Sequence, residues 1–265
     1  MVLGWEDFIL KYRGSVLGYL WSLAGPIVRF LVILYVFGPL VHDTIPLYPL
    51  YLFLGIVIWE HFAVTTTGCM NMLFDKEGII QRMPFPRILL IYAVGWTNLV
   101  IFISHLMIFF VFGLFMGLPL SWYLLELPLI MVQMSLIALG IGMGLAAYCL
   151  KYRDIAHMWN VGIQILFWLT PVMYRYAGRI APWTALHEVF LRPGMKSLHL
   201  LVSSFVHTQP LAIIINNARS ITLYPATSGT PTALHMIGLT LFCCIIFFIG
   251  KRLFDLRSPY FTQEY

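Results

Sequence analysis

Charge is scarce in this chain. Only 10% of its 265 residues are Asp, Glu, Lys or Arg, and 60% are apolar, where an ordinary soluble domain carries about 25% charged residues. So much apolar surface cannot be folded around one core, so water is the wrong solvent. A soluble enzyme and a disordered chain are both excluded. Cysteine is also rare: Cys69 and Cys149 fall near expected cytoplasmic ends, and Cys243 and Cys244 fall inside an apolar run. None lies in an expected outer loop, so no structural disulfide is predicted. The phosphate-cradling pattern G-x-x-x-x-G-K-[ST] is missing, which excludes ATP binding by that route. Gly194, Lys196 and Ser197 have the residue types but not the spacing. His187-Glu188 lacks the second His of a zinc-protease helix, and the eight His are scattered. No metal-ligand spacing, internal repeat or low-complexity tract is present, and nothing marks a nucleic-acid partner. The start of the chain has no small-residue cleavage site, so no signal peptide is expected.

What remains is apolar sequence in long runs. Mean hydropathy is +0.86. The 20 Phe, 14 Tyr and 8 Trp suit a protein with two membrane interfaces, where amphipathic rings collect. A helix crosses a bilayer with about 20 mostly apolar residues. Six segments qualify: 17–37, 48–67, 88–116, 124–149, 158–173 and 232–250. The fifth is short and meets Pro171 near its end. The expected fold is therefore all-α and membrane-integral, one transmembrane domain over 1–265 with six spans.

Basic residues in short loops orient such a bundle. Lys11 and Arg13, then Lys76, Arg82 and Arg87, then Lys151 and Arg153, then Lys251, Arg252 and Arg257 all fall on one side. The loops 38–47 and 117–123 on the other side have none. Both termini are expected in the cytoplasm. The segment 174–231 lies outside but is not polar: 198–206 and 211–215 are apolar, with Pro210 between them. Runs this short cannot span, and broken structure at membrane depth survives only against protein or water. Two re-entrant half-helices are expected there, with a hairpin of two full spans as the alternative. Before the first span, Trp5, Phe8, Ile9 and Tyr12 recur at helical spacing. Residues 1–16 are expected to form an amphipathic helix lying in the interface; the plain alternative is a frayed tail.

Ionisable residues inside spans usually face a bundle interior or a water-filled path. Arg29 and Glu60 are the candidates, either as a structural ion pair or with Arg29 facing a conduit; Glu126 sits near an outer end, within reach of water. The cytoplasmic loop 71–87 combines Asp75, Lys76 and Glu77 with the apolar Ile79 and Ile80, and ends at Pro84 and Pro86. An apolar patch among charges suggests docking to a partner; a solvated loop is the plain alternative.

The run Lys11-Tyr12-Arg13-Gly14-Ser15-Val16-Leu17-Gly18-Tyr19-Leu20-Trp21-Ser22, then Pro26, closely resembles the start of polysaccharide-export permeases, the membrane subunits of ABC transporters for O-antigen, capsule or teichoic acid. Gly55, Trp59 and Phe62 resemble the family's glycine-tryptophan-aromatic stretch. Tyr152-Arg153-Asp154-Ile155, followed by Phe167-Trp168-Leu169-Thr170-Pro171-Val172-Met173-Tyr174, resembles its fifth-span signature. Gln209-Pro210-Leu211 with Arg219 resembles its asparagine-proline-leucine and arginine element, with Gln209 in place of the usual Asn. The resemblance runs along essentially the whole chain.

It implies a homodimer working with two copies of a separate ATPase subunit that binds ATP and Mg, no cofactor in this chain, and an inner-membrane location. It implies that Asp75, Lys76, Glu77, Ile79 and Ile80 form a coupling helix, and that the outer segment forms a gate. It makes the substrate a lipid-linked polysaccharide, with Lys11, Arg13, Gly14 and Gly18 where its phosphate would enter. A hydrated sugar chain crosses on many weak contacts, and aromatic faces stack on sugars without gripping them. Tyr35, Phe37, Trp59, Phe62, Phe167 and Trp168, with Arg29, are the expected lining of a conduit between protomers, closed outside by 181–224. An exporter of another lipid or drug is the alternative. A secondary transporter would show broken spans in related halves, and a membrane-embedded transferase would need clustered acids or histidines at one interface; the chain shows neither.

Overall fold

The computed structural model describes residues 20–41, 45–75, 86–149, 151–152, 154–174, 205, 208–225 and 231–257. These are all-helical: α1 Leu20–Val41, α2 Tyr48–Asp75, α3 Ile88–Phe115, a 3-10 turn Trp122–Glu126 leading into α4 Leu127–Cys149, α5 Asp154–Leu169, α6 Pro210–Thr222 and α7 Ala233–Arg257. The amphipathic start 1–16, the loop residues 76–85 and the run 198–206 apart from Phe205 lie outside the described residues.

Four segments are long and apolar enough to cross a membrane: Tyr48–Met72, Ile88–Phe115, Trp122–Cys149 and Ala233–Arg257. Leu23–Pro39, within α1, is a shorter apolar helix. The fold is thus multi-pass and helical. The fifth expected span is shifted: α5 begins at Asp154 and ends at Leu169, and Thr170–Tyr174 forms a turn. An acidic residue in the first turn suits a helix N-terminus. Pro171 lacks the N–H that a further turn would need. At 16 residues and about 1.5 Å per residue, α5 falls short of a hydrocarbon core of about 30 Å.

The bundle is built around α2. Leu50, Leu52, Leu54, Ile56 and Phe62 are fully buried in it, and α1, α3, α4, α5 and α6 all pack against it. A helix apolar on every side belongs in the centre of a bundle. Between spans, lipid removes the hydrophobic drive, and close packing takes over. The contact of α4 with α7 shows how: Gly140 and Gly250 face each other, and a Cβ on Gly140 would meet the Ile246 carbonyl oxygen at 2.8 Å. Only glycine lets these backbones approach so closely. Beside this contact, the fully buried Gln133 donates from α4 to Thr240 Oγ1 at 2.8 Å and to the Met236 carbonyl at 3.3 Å, both in α7.

Candidate functional site

Two places in the bundle concentrate features that simple packing does not require. The first is the exposed faces of α1 and of α5. On α1, Arg29 reaches across to Glu60 of α2 and donates from Nη1 to Oε2 at 2.5 Å, closing an ion pair. The Arg29 side chain is nevertheless 45% exposed and that of Glu60 21%. Around Arg29, Val28, Leu31, Val32, Tyr35 and Val36 are also exposed. On α5, Met158, Val161, Ile165 and Trp168 are exposed at alternating spacings of three and four, one stripe of a helix. Apart from Arg29 both faces are apolar, as are the exposed faces of α3, with Met107, Val111 and Leu114, and of α7, with Leu241, Ile245 and Phe248.

The expected lining residues divide between this surface and the interior. Tyr35 is 85% exposed and Trp168 51%. Phe37 and Phe167 are half-buried. Trp59 and Phe62 are buried; Trp59 stands edge-on to Phe167 with ring centroids 5.5 Å apart, and Phe62 packs on Trp159 of α5. They join α2 to α5. Phe30 also points inward, against Phe53 of α2 and Phe112 of α3. Asp75 is the last residue of α2. Lys11, Arg13, Gly14, Gly18, Lys76, Glu77, Ile79 and Ile80 lie outside the described residues. Arg87, just before α3, is partly buried, and burial holds its pKa below the usual arginine range.

The second place is Arg219 of α6, 2% exposed. Its Nε and Nη2 donate to the Tyr51 carbonyl of α2 at 3.2 and 3.1 Å. Its Nη1 donates to the Pro171 carbonyl and its Nη2 to the Val172 carbonyl, both at 2.6 Å, in the turn after α5. The guanidinium carbon sits 3.4 Å from the centroid of the Tyr51 ring, a cation–π geometry. A buried cation is costly unless hydrogen-bonded. Here carbonyl dipoles and a π face do the stabilising, and among the described residues no carboxylate pairs with it. Four N–H groups are taken, so the group is a clasp and not a receptor for a passing anion. Gly55 makes the room: a Cβ there would collide with Arg219 Nη2 and sit 2.9 Å from the Val172 carbonyl. Gln209 precedes α6 without capping it. Its Nε2 donates instead to the Leu169 carbonyl at the end of α5, at 3.0 Å.

The sequence pointed to Arg219 only through a family resemblance, and the role of Tyr51 was not foreseen. The available signal was a lone Arg in a short helix whose Leu211, Ile214, Ile215, Ala218 and Ile221 recur at helical spacing. Among the described residues, no group of His, Cys, Asp or Glu could hold a metal ion.

A multi-pass helical bundle with a buried guanidinium clasp is a membrane-integral protein. The chain belongs to the ABC-2 type transporter family, whose model matches residues 1–191. It is similar to the O-antigen export system permease protein RfbA of Myxococcus xanthus, 27% identical over 201 residues that cover 76% of this chain and 75% of that protein. It is also similar to the protein of the same name from Klebsiella pneumoniae, 29% identical over 175 residues, 64% of this chain and 66% of that one.

Proposed function

We propose that this chain is the permease subunit of an ATP-driven exporter that moves a lipid-linked polysaccharide out of the cytoplasm across the inner membrane. The observation that carries the reading is the similarity to O-antigen export permeases over about three quarters of the chain. The sequence, which holds no phosphate loop, agrees with an energy source in a separate subunit. In this reading two copies assemble with two ATPase subunits, α1 and α5 pair across the dimer, and their exposed faces carry the conduit with Tyr35, Trp168 and Arg29 along it. In this reading α1, and α5 together with the turn Thr170–Tyr174 that follows it, complete a six-span topology with both termini in the cytoplasm, and α6 belongs to an outer re-entrant element. The residues Asp75–Ile80 dock in the ATPase, and Lys11 and Arg13 meet the phosphate of the carrier lipid through charge-assisted bonds.

The deciding experiment is purification from the native membrane with the second subunit identified by mass spectrometry, followed by reconstitution. The chain alone should hydrolyse no ATP. The complex should hydrolyse ATP and deliver lipid-linked polysaccharide to the far side of a vesicle. Turnover by the lone chain, or a complex that ignores polysaccharide, would sink the reading.

A further inference from the structure

The end of α5 poses a hydrogen-bonding problem. Pro171 stops the helix, and the carbonyls of its last turn lose their intrahelical donors. An apolar surrounding offers no water to replace them. Side chains from elsewhere fill the gap. Tyr174 turns back and donates its hydroxyl to the Trp168 carbonyl at 3.2 Å. Gln209 serves Leu169, and Arg219 serves Pro171 and Val172. The Tyr51 hydroxyl donates to the Tyr174 carbonyl at 2.9 Å, while Thr170 Oγ1 donates back to Leu166 at 2.8 Å. The acceptors run nearly unbroken from Trp168 to Tyr174, and their donors come from three elements. Tyr224, just beyond α6, adds a hydroxyl bond to the Pro46 carbonyl ahead of α2. With Leu211, Ile214, Ile215, Ala218 and Ile221 buried, α6 is a fixed part of the bundle.

We propose that Arg219 is a positioning residue for transport: by clasping the turn after α5 to the start of α2, it sets where the outer end of α5 stands and makes α6 and that end one body. The proposal rests on the reading above that α5 lines the conduit. Lysine at 219 would carry the same charge but only one nitrogen, and it cannot reproduce a fork that serves three carbonyls at once. Gly55→Ala would push the guanidinium aside from the α2 side while leaving Arg219 in place. Both should displace the end of α5 in the same way. Tyr51→Phe removes the hydroxyl that bonds the Tyr174 carbonyl and keeps the ring beneath the guanidinium, so its effect should be smaller and of the same sign.

The test uses the assembled transporter with Cys69, Cys149, Cys243 and Cys244 replaced and Ile165→Cys, on the exposed face of α5, as the reporter. A water-soluble maleimide is the probe. Arg219→Lys and Gly55→Ala should each change the labelling rate of folded complex at least threefold. Export per assembled complex should fall tenfold or more, with basal ATP hydrolysis within twofold of the parent. A residue that merely stabilises the fold would lower the yield and leave the labelling rate of the folded fraction alone. Parent-like labelling in Arg219→Lys overturns the proposal. If that chain does not accumulate, Gly55→Ala decides, and parent-like labelling there overturns it equally. Should the parent complex move no polysaccharide, the functional reading fails while the labelling comparison still stands.

Discussion

Single residues in this protein are read differently by water and by lipid. Arg29 and Glu60 form an ion pair in which both side chains keep some exposure, and with Arg29 facing the proposed water-filled conduit its worth is that of a partly solvated pair, about 0.2–1 kcal/mol. A double-mutant cycle with Arg29→Ala and Glu60→Ala, followed by thermal unfolding in detergent, should return a coupling of that size, and the coupling should shrink in high salt. At the other extreme, an unpaired charge placed in an apolar contact is costly. Ile80→Asp should leave membrane insertion normal and abolish capture of the ATPase in co-purification; normal capture would show that the docking segment lies elsewhere. Arg13→Ala should lower the ATP hydrolysis that substrate stimulates and spare the basal rate. An equal loss of both would mark a folding role.

At the scale of elements, the all-helical class and four of the expected spans were legible because apolar run length is a direct consequence of bilayer thickness. The expected spans 48–67 and 88–116 coincide with α2 and α3 to within a turn or two, although α2 continues to Asp75. The expected end of the fifth span at 173 was less well placed, since Val172 and Met173 are apolar but follow a proline that ends α5 at Leu169. Hydropathy registers the side chains, whereas the missing N–H decides the helix. The same limit hid the site. Nothing in its composition shows that Trp59 and Phe62 turn inward while Tyr35 turns outward, because a helix apolar on all sides has no pattern to show which face meets a neighbour. Helix crossings were equally silent. The approach of Gly140 to Gly250 predicts that Gly140→Ala, which adds a methyl against backbone, costs about 1–3 kcal/mol, read as a lower melting temperature in detergent. Gly238→Ala, with nothing within 4 Å of its added carbon, should be neutral.

At the scale of the whole molecule, the proposed conduit draws on the exposed faces of α1 and α5. Cysteine scanning during turnover tests this along α1. Tyr35→Cys, at an 85% exposed position, should react with a water-soluble thiol reagent and block export. Phe30→Cys, facing Phe53 and Phe112, should stay unreactive. Absence of reaction at Tyr35 would remove α1 from the transport path. The buried Gln133 carries a consequence of another kind, for biogenesis. Its amide N–H groups are taken by Met236 and Thr240, which the ribosome makes about a hundred residues later. Until α7 inserts, α4 must wait in the bilayer with a bare amide on its flank, a state that lipid penalises. A nascent chain halted before α7 is therefore the form most exposed to quality control, and the arrival of α7 both covers the amide and closes the glycine contact beside it.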